Sequence, residues 1–217
     1  MSSAKILLAL AITALGCTKN LDSMQSKQLI YGSTIAYKGL PDPRHIIGAG
    51  DWVIADHLWA RLVRLNNDGN ETGDLAKSWS RTADGLTWTF EFPIDLHWSD
   101  GSAMTTKHIV DSLNLSISGT AHTNLKAYVK RIFAKDATRL VFELKALPQN
   151  FLYSLSFTDF AITDGPVLPQ VTFDATKPFK TSGPYRIVKA SSDQITLDSN
   201  PYSLNKPKVD GAAKIVS

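Results

Sequence analysis

Residues Leu62–Leu113, "LVRLNNDGNETGDLAKSWSRTADGLTWTFEFPIDLHWSDGSAMTTKHIVDSL", decide how the rest of the chain reads. Asp68-Gly69, Asp84-Gly85 and Asp100-Gly101 divide this stretch into short elements, because Asp-Gly pairs carry turn chemistry. Between the second and third turns, "LTWTFEF" alternates strictly. Trp88, Phe90 and Phe92 fall on one face and Thr87, Thr89 and Glu91 on the other, the pattern of a half-buried strand that Pro93 ends. After the third turn, Thr105 is placed to cap a helix whose Ile109, Val110 and Leu113 face inward.

Upstream, Gln28–Tyr37 is expected as a first strand, broken by "GLPDP" at Gly39–Pro43. Asp51 is placed to cap a helix whose apolar stripe runs through Ala55, Leu58, Trp59, Leu62 and Val63. Downstream, the stretch from Leu125 to Phe133 fits helical spacing. Yet Tyr128–Lys135 and Arg139–Lys145 also pair as a hairpin across Asp136-Ala137-Thr138. A short helix is expected over Phe151–Leu155. A second hairpin sets Tyr185 and Ile187 against Ile195 and Leu197, and a last strand begins near Ala213. Strands and helices mix without regular βαβ alternation, so the fold class is mixed α/β (α+β).

Composition is that of a globular protein: 217 residues, 43% hydrophobic and 20% charged, enough for one core or two small ones. The net charge of +3 is small and dispersed. The dense basic group, Lys126, Lys130, Arg131 and Lys135, reads as a solvated face, so no nucleic-acid partner is expected. At the N-terminus, Lys5 precedes an apolar run from Ile6 to Leu15 that is too short to span a bilayer and has the form of an export signal. Directly after it stands Cys17, the single cysteine of the sequence, unable to form an intramolecular disulfide. "ALGC" resembles a bacterial lipobox, which implies acylation of Cys17 and a membrane surface as a partner through the lipid anchor.

Catalytic patterns are missing from the sequence. His45, His57, His97, His108 and His122 share no i, i+4 pair, and no HExxH, P-loop, GxGxxG or GxSxG occurs. Asp95 and Asp100 read as turn residues rather than a carboxylate pair. No enzyme activity, cofactor or metal is therefore expected. Of the five tryptophans, Trp52 is the least clearly assigned to a core.

Three stretches together resemble the peptide/nickel class of ABC-transporter substrate-binding proteins, the oligopeptide- and dipeptide-binding type (family 5). In the opening segment the matching residues are Leu75-Ala76, Ser78-Trp79, Asp84-Gly85-Leu86-Thr87, Phe90, Trp98-Ser99-Asp100-Gly101, Thr105 and Ser112. "TSGPYRIV" (Thr181–Val188) and "SNPYSLNKPKVDGAAKIV" (Ser199–Val216) are similar to two later strands of that family, and "GLPDP" to its "LDP" loop. The resemblance favours the hairpin over Tyr128–Lys145. It departs at Lys107 and His108, where the family has an acidic pair; this weakens the helix N-terminus and puts a polar role for the two positions in doubt.

The resemblance implies a periplasmic-binding-protein-like type II fold: two lobes about a cleft, lobe I carrying an inserted subdomain II. It implies a signal peptide over 1–17, a first lobe I segment over 18–43, subdomain II over 44–162 and a return segment over 163–217. On this reading the sequence supplies part of lobe I with subdomain II, and the second lobe, with most contacts to a ligand's charged ends, lies outside it. Tyr37, Lys38 and Gly39 are expected at the cleft, with Tyr128 reaching it from subdomain II. The implied function is binding of an extracytoplasmic solute, a peptide by preference, for ABC permease subunits, at the periplasmic side of a bacterial membrane. The alternative is a non-transporting remnant or split-protein half acting as an interaction module, its further partner a separately encoded second lobe.

Overall fold

The computed structural model describes residues 29–32, 42–46, 48–119, 124–166, 179–190, 194–207 and 213–216. Two cores organise them. The larger is built between residues 60 and 162 around Phe90, Phe142, Trp98 and Leu113, all fully buried. The smaller joins Ile54, Ala55, Leu58 and Trp59 to Tyr185, Ile187, Ile195 and Leu197.

The larger core rests on an antiparallel sheet of order β4-β5-β7-β6: β4 (Ser78–Arg81), β5 (Thr87–Glu91), β7 (Arg139–Leu144) and β6 (Val129–Asp136). The alternation expected for "LTWTFEF" holds, with Trp88, Phe90 and Phe92 buried and the intervening residues half-exposed. Phe90 meets Phe142 edge-on at 5.7 Å, and Phe142 meets Phe151 of α4 (Phe151–Leu155) at 5.3 Å. Such edge-to-face pairs add about 0.5–1.5 kcal/mol beyond their buried area. α2 (Thr106–Ser118) packs its Ile109, Val110 and Leu113 face on β6 and β7.

The hairpin reading of Tyr128–Lys145 holds, and the helical reading of this region holds only for Leu125–Tyr128, since Val129, Ile132 and Phe133 are strand residues. One helical turn, α3 (Leu125–Tyr128), runs directly into β6, which pairs with β7 as the hairpin. Thr105 caps α2 as expected, accepting a hydrogen bond from the His108 amide at 3.3 Å. The doubt about Lys107 and His108 is corrected here. His108 Nδ1 accepts from the Thr105 amide at 3.1 Å, closing a capping box with imidazole in place of a carboxylate, and Lys107 pairs with Asp111 one turn on.

α1 (Ala49–Leu58) departs from expectation at both ends. Gly48 is its N-cap, and Asp51 lies in the first turn, where its charge favours the dipole without capping. The apolar stripe continues through Val63, but the helix stops at Leu58. Trp59 is extended, and Leu62 and Val63 enter the hairpin of β2 (Val63–Leu65) with β3 (Glu71–Gly73). The reason lies far along the chain, in "TSGPY". The Gly183 amide donates to Leu58 O at 2.9 Å. The Ser182 hydroxyl accepts from the Ala60 amide at 2.9 Å and donates to Ile162 O at 2.6 Å, and the Ile162 amide donates to Ala60 O at 2.8 Å. Backbone groups that a longer helix would satisfy internally are taken by this clamp.

The second sheet has the order β1-β10-β9-β8: β1 (Leu29–Gly32), β10 (Ala213–Val216), β9 (Gln194–Ser199) and β8 (Tyr185–Ala190). β10 is parallel to β1 and antiparallel to β9, so the last strand is interior. The hairpin register sets Ile187 opposite Leu197 and Ala190 opposite Ile195.

A Cβ added at Gly183 would lie 2.7 Å from Leu58 C and 2.8 Å from Trp59 N, both backbone atoms that cannot swing aside. Gly183→Ala is expected to destabilise by about 1–3 kcal/mol in chemical denaturation; an unchanged midpoint and slope would refute the clamp. In the β6–β7 turn, the Arg139 guanidinium and then the Thr138 amide lower the Asp136 carboxyl from 3.8 to about 2. A lowered folded pKa stabilises above the unfolded value and is lost as pH falls through the folded one. Asp136→Asn should therefore cost stability at neutral pH, and the difference from the unmodified chain should shrink between about pH 4 and pH 2.

Candidate functional site

α1 presents two faces. Ile54, Ala55 and Leu58 point into the smaller core, while Trp52 and Asp56, one turn apart, face outward. The outward pair forms one bank of a groove of about 320 Å³. Arg61, Arg64 and Leu65 supply the floor from β2 and the residues leading into it. Tyr153, Ser156, Phe157 and Thr158 close the far side from α4 and the 3-10 turn that follows (Thr158–Phe160). Trp52 and Tyr153 are each 41% exposed although large and apolar. Tyr153 stands edge-on to Phe157 at 5.1 Å, which fixes its ring.

The charges in the groove have a supporting layer beneath them. Arg61 Nη1 donates to Asp56 Oδ1 at 2.8 Å, and the Thr158 hydroxyl lies 3.4 Å from the same oxygen. Under Arg61, the buried Asp74 accepts from the Arg61 amide at 2.7 Å and from Asn205 Nδ2 at 2.6 Å. Burial raises the Asp74 pKa, opposed by the Arg61 hydrogen bond and the charges of Arg61 and Arg64. Its carboxylate lies 4.0 Å from Arg61 Nε, which has no hydrogen-bond partner among the described residues. Arg64 is exposed and forms no ion pair among the described residues. The site is thus two aromatic rings, Tyr153 held against Phe157 and Trp52 exposed, beside two guanidiniums, suited to holding a molecule. It contains no nucleophile–base pair, and no cluster of His, Cys, Asp or Glu able to hold a metal occurs among the described residues.

Of the residues expected at a site, Tyr37, Lys38, Gly39 and Cys17 lie outside the described residues. Tyr128 ends α3, half-buried, its carbonyl bound by the Lys145 amide at 2.7 Å, and it is not among the residues lining the groove. Sequence reasoning missed Arg61, Arg64 and Tyr153. The signal available for the groove was the Trp52–Asp56 spacing on the polar face of α1. Among the described residues no helix is long and apolar enough to cross a membrane.

Known proteins resemble this chain in sequence and in fold. Over residues 71–213 the chain matches the model of the bacterial extracellular solute-binding proteins, family 5. It is 28% identical over 180 residues to the probable D,D-dipeptide-binding periplasmic protein DdpA of Escherichia coli (strain K12), covering 76% of this chain and 35% of DdpA. It is 27% identical over 161 residues to YbaE of the same organism, covering 74% of this chain and 27% of YbaE. The chain thus spans about a third of the length of these curated relatives.

Among solved structures, an ABC transporter substrate-binding protein from Sinorhizobium meliloti aligns at a TM-score of 0.73 and 18% identity, over 87% of this chain and 39% of its own. The oligopeptide-binding protein OppAIV from Borrelia burgdorferi aligns at 0.72 and 21%, over 87% and 43%. The fold is that of part of a type II periplasmic binding protein, as expected. With a family match over well above half of its residues, the chain belongs to the bacterial extracellular solute-binding proteins, family 5.

Proposed function

We propose that this chain binds a solute, a peptide by preference, outside the cytoplasm and serves an ABC transporter. The observation that carries this reading is the aromatic and charged groove on α1, β2 and α4, set in a chain that belongs to a family of extracellular solute-binding proteins. A concave wall of rings and guanidiniums suits a small polar ligand. Tyr37, Lys38 and Gly39 are ligand-binding residues in this proposal, on the family resemblance of the sequence, and permease subunits are the partners. The reading is of binding without chemistry.

Equilibrium dialysis of the 217-residue chain against a mixed library of di- to pentapeptides tests it. Retention of a peptide subset at micromolar concentration is expected. Trp52→Ala with Tyr153→Ala, and separately Tyr37→Ala with Lys38→Ala, should each weaken it about tenfold or more. No retention of any peptide would overturn the proposal and favour an interaction module instead.

Anchoring through Cys17 belongs to the same proposal: the lipobox-like "ALGC" is its support. Expressed in a bacterium, the chain is expected in the detergent phase on partitioning, and Cys17→Ser should move it to the aqueous phase. Equal partitioning of the two would exclude the anchor.

A further inference from the structure

The groove has an uneven charge. Two guanidiniums, Arg61 and Arg64, face one carboxylate, Asp56. Asp56 Oδ1 is engaged by Arg61 and by the Thr158 hydroxyl, and the lining as a whole carries one positive charge in excess. Its bond to Arg61 is half in water, with 49% of the Asp56 side chain exposed, and exposed pairs of this kind contribute little. A ligand anion therefore competes for Arg61 at low cost. Arg64 has no carboxylate to give up among the described residues; Thr72 lies opposite it across the hairpin, and Glu71 lies opposite Leu65. Planar guanidiniums prefer carboxylates held through two parallel hydrogen bonds. Trp52 and Tyr153 flank the same space and accept an apolar or aromatic side chain.

We infer that the groove holds the terminal carboxylate of a peptide on Arg64 and Arg61, with the peptide's last side chain, aromatic by preference, against Trp52 and Tyr153. This inference rests on the solute-binding reading and specifies its ligand. Asp74 is the positioning residue: through the Arg61 amide it fixes where the guanidinium stem leaves the chain, and Asn205 holds Asp74 in turn. The acid end of the ligand is thus read on the wall that contains α1.

The test is calorimetry of the 217-residue chain with the tripeptide Ala-Ala-Phe and with its C-terminal amide, which lacks only the negative charge. The free acid should bind about tenfold or more tighter than the amide, and added salt should narrow the gap. Arg64→Gln, at an exposed position, should erase the difference while its circular dichroism matches the unmodified chain. Lys135→Gln, an exposed cation on β6 outside the groove, should preserve it. Equal binding of acid and amide overturns the inference and leaves the solute-binding reading intact. The inference falls in the same way if Arg64→Gln still discriminates, or if the peptide library is retained while neither tripeptide binds. Failure of the library and of both tripeptides removes both readings together.

Discussion

One close approach sets the arrangement of this molecule. Gly183 lies against the peptide bond between Leu58 and Trp59, and the neighbouring Ser182 hydroxyl bridges Ala60 and Ile162. These contacts stop α1, turn the chain outward, and bring together the point where it enters the larger core and the point where it leaves. Ser99 and Thr181 exchange backbone and side-chain hydrogen bonds beside the clamp, and Asn200 Nδ2 donates to Gly183 O. The two cores are therefore joined by a buried polar seam. Each buried donor there that lost its partner would cost about 1–3 kcal/mol.

The groove inherits its shape from that seam. Because α1 ends at Leu58, Arg61 and Arg64 fall on an extended segment rather than a helix, which brings them opposite α4. Asp74 returns from the other arm of the β2–β3 hairpin to hold the Arg61 amide, and Asn205 reaches it from the loop after β9. The groove's floor is consequently tied to residues from distant parts of the sequence. A wall fixed in this way loses little freedom when a ligand arrives, which favours affinity.

Much of this is legible in the residues and some is not. "LTWTFEF", the Thr105 cap, the Phe151–Leu155 helix and the Tyr185–Leu197 hairpin are local patterns, and local patterns survive folding. Val63 reads as helical because its spacing from Leu58 and Trp59 is helical; the competing partner, Gly183, is far off in sequence and invisible to a periodicity argument. His108 reads as a loss at a helix start, since a carboxylate is the usual capping-box partner, yet an imidazole nitrogen is also an acceptor. The groove is the least legible part. Arg61 and Tyr153 stand far apart in the sequence, and nothing local marks them as neighbours.

The parallel pairing of Leu29–Gly32 with Ala213–Val216 has a kinetic side. The larger core draws on residues 60–162 and closes largely through hairpins and one helix, all short-range. The other sheet joins a strand near the start of the chain to one near residue 216, with β10 as the link between β1 and β9. Contacts of such separation form late, because the entropy of closing the intervening chain must be met first. On a ribosome, β1 emerges before the larger core and waits with open backbone groups until β10 follows. The first described strand to be made is thus among the last to be protected.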